Sequence, residues 1–366
     1  MVSVLAFIFV FGILIFVHEF GHFIVAKRNG VRVEKFSLGF GRRLWGKKIG
    51  QTEYLISAVP FGGYIKMSGE EPGKEQKGKP WEFLSKSCGQ RAQIVAFGPI
   101  LNYLLAFLLF SFIFIIGAPT ATTRVGQLLE DYPALEAGVK EGDLILAVDG
   151  EPVEYWQDMA ALIHQKTLNT EVILDVERGN RLIKISLAPK IEKTKDIFGQ
   201  EVEIALVGIY PSQETTEIKY GWGKSFYKGA EKLITLSALT YKSLWFILTR
   251  RLSLKDAAMG PIGIFHFTAD AARLGFIYLL NLMGLLSMSL AIFNFLPIPI
   301  LDGGYLFFLA LEKLRKKPVN LKTQEIAAQV GILLLITLLI FVSYYDLLRY
   351  GWLEKAQDLW SKFKLK

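Results

Sequence analysis

Residues 2–26 read VSVLAFIFVFGILIFVHEFGHFIVA, and how this stretch is read decides the rest. It is long and apolar enough to cross a bilayer, which takes about 20 such residues. Yet it carries three ionisable side chains, His18, Glu19 and His22, in five positions. Two histidines four apart lie on one helix face, one turn apart, so both imidazoles reach a single metal ion. Glu19 sits one residue on and meets a metal-held water rather than the ion. Two histidines, one further ligand and a water make the open zinc arrangement, in which Glu19 is the base. The competing reading is polar residues packing against other helices. In hydrocarbon, each such group costs a few kcal/mol or more unless paired or wet. Three together demand a common partner, and a metal is the simplest one.

The whole chain agrees with a membrane setting. Of its 366 residues 52% are hydrophobic, and the mean hydropathy is +0.34, too apolar for a soluble domain of this size. Three more segments qualify as spans: Ile94–Ala118, Phe276–Leu301 and Ile326–Tyr345. The first span lacks a basic leader and a small-residue cleavage pattern, so it is expected to stay attached. The net charge of +8 is not a nucleic-acid footprint. Residues 27–91 carry fourteen Lys/Arg against six Asp/Glu, whereas residues 119–222 carry ten against eighteen. A basic excess beside apolar spans marks the cytoplasmic side, which places the N- and C-termini and the acidic segment outside. The single cysteine, Cys88, excludes an internal disulfide and a Cys-lined structural zinc site.

The expected architecture is a polytopic α-helical membrane protein with four transmembrane helices. Helix 1 takes residues 1–26 and helix 2 residues 92–118, with a membrane-associated β-hairpin or re-entrant region at 27–91 between them. An extracytoplasmic mixed-β domain follows at 119–218, with short runs at Glu171–Val176, Leu182–Leu187 and Ile204–Ile209. Outer-surface amphipathic helices fill 219–275, since Lys224, Lys228, Glu231, Lys232 and Lys242 interrupt the apolar pattern there. The third helix takes 276–304, a cytoplasmic loop 305–325, the fourth helix 326–346 and a tail 347–366.

A third ligand is sought where span three ends, in NFLPIPILDGG (294–304). Asp302 is the only carboxylate near that end. His18 lies sixteen residues into span one, about 24 Å down a helix, at the same cytoplasmic depth. Pro297 and Pro299 break the helix there, and irregular backbone is tolerated only inside protein or beside water. The alternative for Asp302 is a plain helix-end turn in Asp-Gly-Gly.

With these residues in view, the chain resembles the site-2 intramembrane metalloproteases, and within them the bacterial RseP-like group that trims anti-sigma factors. HEFGH (18–22) is similar to that family's zinc helix, and the 294–304 segment to its second signature. The resemblance implies zinc held by His18, His22 and Asp302, with Glu19 catalytic. It implies regulated intramembrane proteolysis of single-pass membrane proteins, an anti-sigma factor or remnant signal peptides, after a first extracytoplasmic cut. It also implies residence in the bacterial cytoplasmic (inner) membrane.

Further stretches fit the same pattern. Tyr54–Val59 and Tyr64–Met67 flank Gly62-Gly63, which reads as a hairpin whose edge takes an extended substrate by strand addition. Gly62, Gly63 and Tyr64 are therefore substrate candidates, as are Pro297 and Pro299. Asn102, in Gly98-Pro99-Ile100-Leu101-Asn102, and Asn294 either hydrogen-bond the substrate backbone or oxyanion, or join helices. Residues 126–150, with Ala137-Gly138 and Gly142-Asp143, look like the start of a PDZ domain, a module that captures extended peptides or carboxyl ends. His164 and His266 fall outside the membrane site. Two rival readings remain, a membrane PDZ adaptor with a degenerate metal site and a transporter. Intact His18, Glu19, His22 and Asp302 oppose the first. The absence of internal repeats opposes the second.

Overall fold

The computed structural model describes residues 2–70, 78–166, 170–196 and 199–352. The tail lysines Lys355, Lys362, Lys364 and Lys366 lie outside them. The chain forms two compact units. One takes the described residues up to Ile113, Phe226–Lys242, and those from Ser253 on. The other takes Phe114–Ser225 and Ser243–Leu252.

The first unit is organised around α1 (Val2–Arg28). The helix stops where Gly30 turns left-handed at φ 69° and the Val31 N–H reaches back to the Ala26 carbonyl. Below that stop, Val25, Ala26, Val31, Val33, Phe83, Ile94 and Val95 form a buried cluster joining the helix end to the strands. Strands β1 (Val33–Ile49) and β2 (Thr52–Met67) follow, turning at Gly50. Their pairing corrects the expected hairpin. Tyr54 and its neighbours do not pair with Tyr64–Met67 across Gly62-Gly63, because residues 35–38 lie between the two. Phe36 faces Ile65 on one side and Tyr54 on the other. The reason lies in β1, which bends at Gly39 and Gly41 (φ 88° and 84°), so its two halves both pair with residues 52–59 of β2 and its first half also pairs with residues 63–67. The Gly63–Met67 end of β2 is left on the edge, with no second strand beside it among the described residues.

Next comes α2 (Cys88–Ile116), with Pro99 in its interior. After the second unit, α5 (Trp222–Leu248) returns along it. The segment expected as an outer-surface amphipathic helix lays its Phe226–Lys242 part along the apolar helices and is not itself one of the helices apolar enough to span. The Ser237 and Tyr103 hydroxyls are 2.8 Å apart, and the Phe226 ring meets Phe107. Lys232, which argued for a wet surface, donates to Asn281 Oδ1 at 2.9 Å and lies over the Phe110 ring. The polar groups thus find partners inside the bundle.

After a short α6 (Leu254–Ala257), α7 (Pro261–Leu274) sets Phe265 against Phe7 of α1. Then α8 (Phe276–Asn294) ends seven residues before the expected Leu301. Pro297 and Pro299 account for this, since each lacks an amide proton and disfavours helix in the residue before it. α9 (Asp302–Arg315) begins at the aspartate itself, and α10 (Leu321–Arg349) closes the unit. Four helices, α1, α2, α8 and α10, have the length and composition to cross a membrane.

The second unit is β-rich, with β3 (Ala118–Ala121), β4 (Val125–Leu128), the single turn α3 (Pro133–Glu136), β5 (Leu144–Val148), β6 (Glu151–Pro152) and α4 (Trp156–His164). Strands β7 (Val172–Arg178), β8 (Arg181–Leu187), β9 (Lys190–Lys195), β10 (Glu201–Leu206), β11 (Ile209–Pro211) and β12 (Thr215–Ile218) complete it. The main sheet runs β6-β5-β7-β8, antiparallel throughout. Its core includes Val125, Ile145, Met159, Leu174, Val176 and Leu187. The run expected at Ile204–Ile209 is two strands rather than one, because Gly208 turns to φ 82° against the Tyr132 side chain. Asp143 is 1% exposed and fully engaged. Arg178 grips both its oxygens at 2.8 Å, and the Lys140 N–H donates to it at 2.8 Å.

Candidate active site

His18 and His22 come together because α1 is unbroken and they stand one turn apart on it. Their rings meet edge to face at 4.8 Å, with the two Nε2 atoms 3.2 Å apart. Each Nδ1 faces α2. His22 Nδ1 lies 2.9 Å from the Ile94 carbonyl oxygen, which makes Nδ1 the protonated nitrogen and leaves the Nε2 lone pair free. His18 Nδ1 lies 3.4 Å from Asn102 Nδ2.

This approach of α2 is possible only because the contact is glycine on glycine. A Cβ on Gly21 would sit 2.3 Å from the Phe97 carbonyl oxygen, and one on Gly98 would sit 2.3 Å from His22 Nε2. The glycines of HEFGH and of Gly98-Pro99 therefore serve one purpose, which is close helix packing at the histidines.

Asp302 is delivered from another direction. After α8 the chain folds back through Pro297 and Pro299, and Ile300 is held at φ 93°, an unfavourable value for a β-branched residue. Gly303 and Gly304 pack directly on the backbone of residues 295–299, where a Cβ would lie 2.3 Å from the Leu296 and Ile298 oxygens. This compact turn points Asp302 Oδ2 at the histidines, 3.2 Å from His18 Nε2 and 3.5 Å from His22 Nε2. That buried oxygen has no hydrogen-bond partner despite its neighbours.

The three donor atoms suit zinc. Ligands about 2.0–2.1 Å from a tetrahedral ion stand about 3.3 Å from one another. The triangle formed by His18, His22 and Asp302 has edges of 3.2, 3.2 and 3.5 Å. Two imidazoles and a carboxylate are also the ligand types of open zinc sites. The orphaned oxygen is what a carboxylate directed at a cation, rather than at a proton donor, looks like.

Glu19 is not among the converging atoms. It lies beside the edge strand: a Cβ on Gly63 would come 3.2 Å from Glu19 Cγ. Of the substrate candidates, Gly62, Gly63 and Tyr64 begin that edge, with the Tyr64 ring stacked on Phe40. Asn294 is half-buried at the end of α8, and Pro297 is exposed on the turn that follows. Pro299 and Asp302 line a cavity of about 460 Å3 together with Met67, Val95, Leu301 and Tyr305. Asn102 differs from these, being fully buried behind His18 with its Oδ1 unpartnered.

Residues set aside on sequence grounds also have places. Cys88 donates to the Leu309 carbonyl at 3.1 Å, and His266 stacks on Tyr350. His164, in contrast, lines a groove of about 290 Å3 in the second unit with Tyr132, Trp156, Met159, Val207 and Ile209. The Ile94 carbonyl was missed altogether. A backbone acceptor leaves no side-chain signal, although the helix-interior proline near it is a clue. Pro99 supplies no N–H to the Val95 carbonyl, the neighbour of Ile94, and loosens that turn of α2.

Comparison with known proteins places these observations in a family. The model of peptidase family M50 matches residues 6–338. A protein of Clostridium acetobutylicum, named as a zinc metalloprotease, is 34% identical over 345 residues, which cover 93% of this chain and 95% of that one. The regulator of sigma E protease of Haemophilus influenzae is 30% identical over 438 residues, covering 94% and 98%. Among solved structures, the PDZ domain of the SdrC-like protein from Listeria innocua is similar to 25% of this chain and 96% of its own, at 28% identity and a TM-score of 0.20.

Proposed function

The chain belongs to peptidase family M50, the zinc-dependent site-2 protease family, and from that premise we propose that it cuts single-pass membrane proteins inside or at the edge of the bilayer. The observation that carries this reading is the 3.2, 3.2 and 3.5 Å triangle of His18, His22 and Asp302 at the end of an apolar helix.

In the proposed mechanism His18 Nε2, His22 Nε2 and Asp302 Oδ2 hold the zinc. Zinc, when bound, supplies Lewis acidity that acidifies a water and polarises the scissile carbonyl. Glu19 accepts the proton of the attacking water and hands it to the departing amide nitrogen. Its place beside Gly63 supports this, because a peptide laid along that strand edge runs past the Glu19 carboxylate. Pairing with the Gly62–Met67 edge straightens the substrate, exposing carbonyls that a transmembrane helix hides. Asn294 donates to the backbone or to the oxyanion of the reacting segment. Pro297 and Pro299 keep the opposite wall irregular beside the cavity.

The charge distribution supports a cytoplasmic location for residues 27–91, with both termini and the β-rich unit outside. That unit is proposed to act as a PDZ domain, capturing a peptide or new carboxyl end in the groove lined by Trp156, Met159 and His164. The substrates that fit this arrangement are proteins already shortened on the outside, such as an anti-sigma factor or remnant signal peptides.

The test is cleavage of a single-pass model substrate by the purified full chain, comparing wild type, Glu19→Gln and chelator-treated protein. The proposal expects Glu19→Gln to bind zinc with cleavage reduced by about 10²–10⁴-fold. Equal cleavage in all three samples would refute it.

A further inference from the structure

Asn102 is 0% exposed and lies against the outer nitrogen of His18, where no substrate backbone reaches. Its main-chain oxygen accepts a 2.7 Å bond from Ser287 on α8, which fixes the backbone. The side chain is less settled. Nδ2 stands 3.4 Å from His18 Nδ1, while Oδ1 is buried without a partner. The two ends of an amide are set by the surrounding hydrogen bonds, not by shape.

The chemistry of His18 decides between them. A neutral imidazole that offers its Nε2 lone pair toward Asp302 and a cation must carry its proton on Nδ1. An N–H facing an NH2 is repulsive. Exchanging the two amide ends turns the contact into Nδ1–H donating to Oδ1, and gives that buried acceptor a partner. His22 already shows the same design, donating from Nδ1 to the Ile94 carbonyl. Ile94 and Asn102 lie eight residues apart on α2, about two turns, so one helix face supplies both acceptors.

We infer that Asn102 is a positioning residue for the metal centre, its side-chain oxygen accepting the His18 Nδ1 proton and so aiming Nε2 at the zinc. This rests on His18 being a ligand, as proposed above. Groups that hold the distal nitrogen of a ligating histidine set its tautomer and raise its basicity, and their loss costs about 10–100-fold in metal affinity.

The test measures zinc affinity of the full chain in detergent by competition with a chelator, alongside melting of the metal-free protein. Asn102→Leu removes the acceptor and also the unpartnered buried oxygen. It should weaken zinc by about 10–100-fold while the metal-free protein melts no lower than wild type. Asn102→Asp keeps an acceptor, and should hold zinc within about threefold of wild type by the same logic. If Leu overpacks the site and the protein fails to fold, Asn102→Ala carries the same expectation for zinc. Wild-type affinity in the apolar variant, or equal losses in the apolar and Asp variants, would overturn the inference. His18→Ala separates the two layers. If it binds zinc as tightly as wild type, the ligand assignment itself is wrong. If it loses zinc while the apolar Asn102 variant does not, only the positioning role fails.

Discussion

Two carboxylates with buried oxygens, one in each unit, are treated in opposite ways. Asp143 in the β-rich unit is saturated, with a two-pronged Arg178 and a backbone N–H filling its acceptor sites. Asp302 in the helical unit has an oxygen that faces two imidazoles and satisfies neither. A carboxylate that serves the fold is finished by the fold itself. Asp302 is held in place by its turn and left incomplete, the arrangement expected of a group reserved for a ligand.

The contrast can be broken experimentally, starting at Asp302. Asp302→Asn is expected to abolish cleavage and zinc retention, while melting of the metal-free protein stays at or above the wild-type value. A large loss of metal-free stability would make Asp302 a structural residue like Asp143. The next effect is at the helix contact. Gly98→Ala pushes a methyl group into His22 Nε2, and a displacement of about 1 Å at a reacting centre costs about 100-fold in kcat/KM. Steady-state cleavage at fixed zinc reads that loss.

Asp143→Ala should act on stability alone. It removes charge-assisted hydrogen bonds worth about 2–3 kcal/mol, with Arg178 partly free to rehydrate. Hydrogen exchange of β5 and β7 should rise, while zinc affinity stays unchanged. The smallest effect is in pH. Burial pushes the Asp143 carboxyl up, but the Arg178 guanidinium and the Lys140 N–H outweigh it and hold the group below its ordinary range. A carboxylate lowered in the folded state stabilises above its unfolded pKa of about 3.9, and that contribution fades as pH falls through the lowered folded value. Acid unfolding of the β-rich unit, followed by near-UV circular dichroism, should therefore steepen below about pH 4, and less so in Asp143→Ala.

The sequence showed which side chains converge more fully than it showed how the strands pair. His18, His22 and Asp302 were legible because ionisable groups in an apolar run have few explanations, and a helix fixes the spacing of the first two. Four apolar helices were legible for the same reason. The β1–β2 pairing was not, since local alternation says nothing about which half of a bent strand lies between two others. The contacts of α5 were not legible, because Lys232 reads as solvent-seeking until Asn281 and the Phe110 ring are beside it. Ile204–Ile209 looked continuous because only the Tyr132 contact reveals why Gly208 must turn. Asn102 stood out as either a substrate contact or a join between helices. Its burial behind His18 depends on the packing of α2 against α1.

The glycine contact between α1 and α2 also bears on motion. With Gly21 and Gly98 nearly touching, the two histidines and both of their Nδ1 partners belong to one stiff jaw. The opposing jaw is the turn that carries Asp302, where a β-branched residue sits at φ 93° between two prolines and a pair of glycines. A substrate entering between them is expected to displace the second jaw, not the first. Paired spin labels in the full chain should then report constant α1–α2 distances and shifted α1–α9 distances when a transmembrane peptide is added.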